Sequence, residues 1–120
     1  MLPAQALALA AALEDYRDAM RAFLREPRDA ALREVVRDRL RAMGEIAAML
    51  PAIWVPWGAL VVLHFELVNP RWSVAGVETK ALFGIVSDHQ AALDVLHRRC
   101  LEWAGAQQAP PSPKGPSSAT

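Results

Sequence analysis

The sequence predicts an all-α fold: a small single-domain helical bundle of four to five helices over 1–104, with a disordered C-terminal tail over 105–120. Three observations carry this prediction. Apolar residues recur at alternating steps of three and four along long stretches, the period of a buried helical stripe. Prolines and an Asn-Pro pair punctuate the chain between those stretches, where helices end and turns begin. The last stretch, "GAQQAPPSPKGPSSAT", holds four prolines and almost no side chain worth burying, the composition of a segment that cannot offset its own ordering entropy.

The first helix is expected over 2–25. Leu2, Ala6, Leu9, Leu13, Tyr16, Met20 and Phe23 form a heptad seam, which predicts packing at a shallow angle on a neighbour. Pro3 suits a first-turn position, where no backbone donor is needed. Pro27 stops the helix by withholding its donor.

A second helix is expected from about Arg28 to Leu50, with Asp29 in the first turn, where a carboxylate complements the helix dipole. Its apolar face reads Leu32, Val36, Leu40, Met43, Ala47 and Leu50. So few residues separate the two patterns that the helices should form an antiparallel hairpin.

The run from Ile46 to Leu63 carries no charge and approaches the length of a membrane span. Pro51 and Pro56 argue against one, because each would leave backbone groups unpaired in lipid. Trp54 and Trp57 sit mid-run, whereas an aromatic belt lies at the ends of a span. The run therefore divides into the end of the second helix, a proline-bracketed turn over 51–56, and a buried third element over 57–68. Helix is chosen for 57–68 over strand, since a lone strand would have no partner. The last element covers Val77 to Trp103. Leu82, Ile85, His89, Leu93, Leu96, Cys100 and Trp103 step by threes and fours. "SDHQ" at 87–90 also reads as a capping box, so one helix or two, broken near Gly84–Ser87, fit equally.

Composition narrows the function. Thirteen basic residues balance thirteen acidic ones, which argues against a nucleic-acid partner. One cysteine, Cys100, excludes a disulfide framework and suits a reducing, cytoplasmic compartment. The apolar N-terminus has no Lys or Arg before Arg17 and so lacks the positive start of a signal peptide. No transmembrane span is expected. Arg17, Arg21, Arg25 and Arg33, Arg37, Arg41 form two i, i+4 stripes. Interleaved acids make them first of all solvated ion-pair faces, with Arg33, Arg37 and Arg41 as a candidate electrostatic docking face.

No glycine-rich phosphate loop, nucleophile elbow or zinc spacing is present, so no enzyme, metal or cofactor is expected. Cys100, on the buried seam, reads as a small hydrophobe. The expected function is a non-enzymatic protein–protein interaction module, with homodimerisation as one form. Trp54, Trp57 and Trp72 are its candidate partner-binding residues, because tryptophan is enriched among interface hot spots. Two alternatives stand beside it. One is peripheral membrane contact through 46–68. The other is a metal- or small-ligand-binding bundle using His64, His89 and His97, of which His97 follows Asp94 at i, i+3.

Overall fold

A computed structural model describes residues 3–70 and 79–108. Among them the chain forms α1 (Pro3–Arg25), α2 (Ala30–Ala47), a 3-10 turn (Pro51–Ile53), α3 (Trp54–Leu67) and α4 (Thr79–Gln108), with no strand. The all-α bundle is the fold, and 57–68 is helical.

The α1 seam is buried from Ala6 through Leu9, Leu13, Tyr16 and Met20 to Phe23. The chain then turns on two backbone bonds, Glu26 N–H to the Phe23 carbonyl at 3.0 Å and Asp29 N–H to the Glu26 carbonyl at 2.9 Å. Asp29 is the N-cap of α2 rather than a first-turn residue. Its side chain accepts from Ala31 N–H at 2.9 Å and Leu32 N–H at 3.1 Å, satisfying donors that the first turn leaves open. α2 runs back along α1. Arg33 stacks on Phe23 at one end of the pair, 5.0 Å from the ring centroid, and Gln5 meets Met49 just past the other.

α2 closes at Ala47, three residues before the expected Leu50. Leu50 N–H bonds the Ala47 carbonyl at 2.9 Å, tightening the chain into the 3-10 turn. α3 then begins at Trp54, earlier than the expected 57. Pro56 falls within its first turn, where a missing N–H costs nothing, so the proline marks a helix start and not a break.

α1 packs on α2 and on α4, and α3 packs on α4. The core joins Leu9, Leu13, Val36, Met43, Leu60, Leu67, Leu93 and Leu96. α4 is one continuous helix through Gly84 and Ser87, so the capping-box reading of 87–90 is not realised. It also continues to Gln108, into the stretch expected to be tail. Residues 109–120, Trp72 and Gly76 lie outside the described residues.

No described helix is long and apolar enough to cross a membrane. The uncharged run 46–63 is split between the end of α2, the turn and the start of α3.

Candidate functional site

Three polar side chains meet inside the apolar core. Tyr16 comes from the α1 seam, His64 from the inner face of α3, and His89 from the α4 seam; all three are buried. The Tyr16 hydroxyl lies 2.9 Å from His64 Nδ1 and 2.8 Å from His89 Nε2. The rings are tilted against one another, with centroids 5.8 Å and 5.6 Å from that of Tyr16.

A phenol has one proton to give and lone pairs to receive. It therefore donates to one imidazole and accepts from the other, which leaves two self-consistent directions for the chain of bonds. Burial holds both imidazoles neutral, lowering His64 to about 4. His89 is lowered to about 4 by burial first, then by the neighbouring His64 and Arg17. Burial also raises the Tyr16 phenol well above its ordinary value.

A charged layer flanks this core on the α1–α4 side. Arg17 bonds Asp94 at 2.9 Å and approaches Glu14 at 3.8 Å. His97 sits 3.2 Å from Glu14. The structure thus brings His64 and His89 together on Tyr16 and turns His97 to a carboxylate on α1. Among the described residues, no group of three or more His, Cys, Asp or Glu is arranged to hold a metal ion. Cys100 is buried, and burial pushes its thiol up to about 11.

The arginine stripe of α2 divides in two. Arg33 donates to the Val68 carbonyl at the end of α3, besides stacking on Phe23. Arg37 pairs with Glu34 at 3.1 Å, and Arg41 with Asp38 at 3.2 Å. Arg33 and Arg37 line a surface cleft of about 130 Å³ between α2 and α3, with Leu40, His64, Phe65 and Val68. Arg41 is not among its walls.

The candidate tryptophans have distinct settings. Trp54 is 52% exposed, yet its indole N–H donates to the Ala47 carbonyl at 2.8 Å, closing the C-terminus of α2. Trp57 is half-buried against α2, where a Cβ at Gly44 would meet its ring at an ordinary 3.5 Å. Trp103 is half-buried, and its indole nitrogen has no hydrogen-bond partner among the described residues.

The third element was expected to be buried, and here the structure corrects the sequence reading. α3 is apolar nearly all round, but only one face is covered, by Leu60, His64 and Leu67. The opposite face leaves Val55 86%, Val62 65% and Phe65 61% exposed. Gly58 and Ala59 lie exposed between them. Steps of three, four and three link Val55, Gly58, Val62 and Phe65, the spacing of a packing seam, here left exposed among the described residues.

The class of protein defined here is a small all-α bundle with a buried Tyr–His–His network and, among the described residues, an exposed apolar stripe on α3. No family model, curated protein or solved structure matches the chain.

Reading the residues alone missed two features. The first is the network, although its signal was present: Tyr16 and His89 occupy seam positions on separate helices, and buried polar groups must find partners. The second is the outer stripe of α3, which cannot be told from a core stripe when both faces of a helix are apolar.

Proposed function

We propose that this chain is a non-enzymatic protein–protein interaction module that pairs with a second copy of itself through the outer face of α3. The observation that carries this reading is the exposure of Val55, Val62 and Phe65, with Trp54 at the rim. Scattered exposed apolar residues are ordinary on a protein surface, whereas a contiguous stripe marks an interaction site.

A second copy is favoured over other occupants for two reasons. Within α3 this face carries one charge, Glu66, exposed one turn beyond Val62; it stands at the end of the stripe, so laying the stripe antiparallel on itself across a two-fold axis sets the two copies of Glu66 at opposite ends. Small residues at its centre and larger ones at its ends allow two antiparallel copies to interlock. The four large side chains offer on the order of 500 Å² per protomer, near the lower limit of specific interfaces and typical of a reversible dimer. The single buried cysteine is in keeping with a cytoplasmic location.

Light scattering behind size exclusion tests the proposal. The expected result is a monomer–dimer equilibrium in the micromolar range that Val62→Glu shifts fully to monomer. A protein that stays monomeric at roughly millimolar concentration would exclude self-pairing. A monomer that floats with liposomes would assign the stripe to a membrane surface instead.

A further inference from the structure

The geometry points to the α2–α3 cleft as a binding site for a short-chain carboxylate, whose occupancy sets the direction of the Tyr16–His64–His89 hydrogen-bond chain. The site is separate from the proposed dimer seam, although Phe65 borders both.

Chemistry and size select the ligand. Two guanidinium groups, Arg33 and Arg37, stand in one wall a helical turn apart, and guanidinium forks match carboxylate oxygens. Arg33 already spends part of its fork on the Val68 carbonyl, and Arg37 shares its charge with Glu34 at 3.1 Å. The remaining positive charge suits a monoanion better than a dianion, which Glu34 would repel. Leu40, Phe65 and Val68 supply apolar wall for a hydrocarbon tail. At about 130 Å³ the cleft is well below the ~300 Å³ of drug-sized pockets, so the ligand has only a few carbon atoms.

His64 connects the cleft to the core. Its Nδ1 is engaged by Tyr16, and the residue also lines the cleft, so Nε2 is the ring atom it can offer to a ligand. In one direction of the chain, His64 Nδ1–H donates to Tyr16, the Tyr16 hydroxyl donates to His89 Nε2, and His64 Nε2 is a bare lone pair. In the other, His89 Nε2–H donates to Tyr16, the hydroxyl donates to His64 Nδ1, and His64 carries Nε2–H. Both forms hold the same number of protons. An empty cleft walled by guanidinium donors favours the bare lone pair. A carboxylate needs a donor and favours Nε2–H. Filling the cleft therefore reverses the chain: His64 takes a proton at Nε2 from water, the two bridging protons each shift one bond along, and His89, on the far side of Tyr16, gains Nε2–H and gives up its Nδ1 proton to water, with no net change in protonation.

Nitrogen-15 NMR of the histidine rings reads this directly. Sodium butyrate is titrated to about 100 mM at constant ionic strength, with inorganic phosphate as a parallel arm. The expected result is a saturable change at both His64 and His89 with one shared dissociation constant, and weaker binding of phosphate. Arg37→Gln should weaken butyrate about tenfold, the loss of one charge-assisted bond. Arg41→Gln removes the same charge outside the cleft and should leave binding unchanged. No saturable response, or equal effects of the two substitutions, would overturn the site. Phosphate binding as tight as butyrate would overturn the carboxylate assignment. A silent His89, or one titrating with a different constant from His64, would overturn the coupling. Tyr16→Phe, where it folds, should retain the His64 response and abolish that of His89.

Discussion

The Trp54 indole N–H donates to the Ala47 carbonyl across 2.8 Å, so a half-exposed tryptophan holds the end of one helix from the start of the next. The same carbonyl also accepts from Leu50 N–H, and losing the indole does not leave it orphaned. Trp54→Phe should therefore lower stability by only about 1 kcal/mol, the net value of one hydrogen bond. Urea unfolding should show a lower midpoint with an unchanged slope.

Tyr16→Phe is a harsher change despite its smaller volume. It strips two buried imidazoles of their shared partner, and each unsatisfied buried group costs about 1–3 kcal/mol. A loss of about 3 kcal/mol is expected by chemical denaturation. Adding His64→Leu and His89→Leu to Tyr16→Phe should recover much of it, because an apolar trio leaves nothing unpaired.

Acid should destabilise the fold through the same pair. Both histidines titrate near 4 in the folded protein against 6.5 for an ordinary imidazole. The unfolded chain then takes up protons first. Their contribution is fully present above pH 6.5 and is lost as pH falls toward 4. Between about pH 7 and pH 5, on the order of 2 kcal/mol is expected per histidine. Urea midpoints at several pH values in that window check this, and His89→Leu should flatten the dependence. Unchanged midpoints from pH 7 to 5 would refute it.

The two faces of α3 should differ in the cost of truncation. Leu60 is fully buried, and Leu60→Ala should cost about 2–5 kcal/mol. Val62 is 65% exposed, and Val62→Ala should change monomer stability by no more than about 0.5 kcal/mol. Denaturation of dilute protein separates them.

Gly58 and Gly84 give a paired test. A Cβ at either would meet nothing within 4 Å, and both lie within helices. Alanine at either should stabilise the monomer by about 0.5–1 kcal/mol. Only Gly58→Ala, at the centre of the proposed seam, should also change the dimer dissociation constant, measured by light scattering.

Legibility in the sequence followed the number of faces each helix buries. α2, and α1 from Glu14 onward, have one apolar stripe against charged flanks, so periodicity located both helices and named most of their buried residues. α3 is apolar nearly all round, and periodicity could neither choose its covered face nor place its start, because Pro56 serves a first turn as readily as a break. The continuity of α4 was undecidable locally: Ser87 and Gln90 satisfy a capping pattern that the long stripe from Leu82 to Trp103 overrides. The arginine stripe was visible. Its division between the cleft and open surface depends on where α3 ends, at Val68 beside Arg33. The Tyr16 network was the least legible part, since its members are far apart in sequence and only the packing of three helices brings them together.

That network also limits how the helices can slide. The apolar seams of α1 and α4 are rich in alanine and leucine, and a shift of one turn would lay similar side chains against similar side chains. Such a shift would carry His89 away from the Tyr16 hydroxyl and bury two polar groups unpaired. The hydroxyl thus works as an alignment pin: it separates the native register from near-equivalent neighbours by penalising them, widening the energy gap on which a unique fold depends.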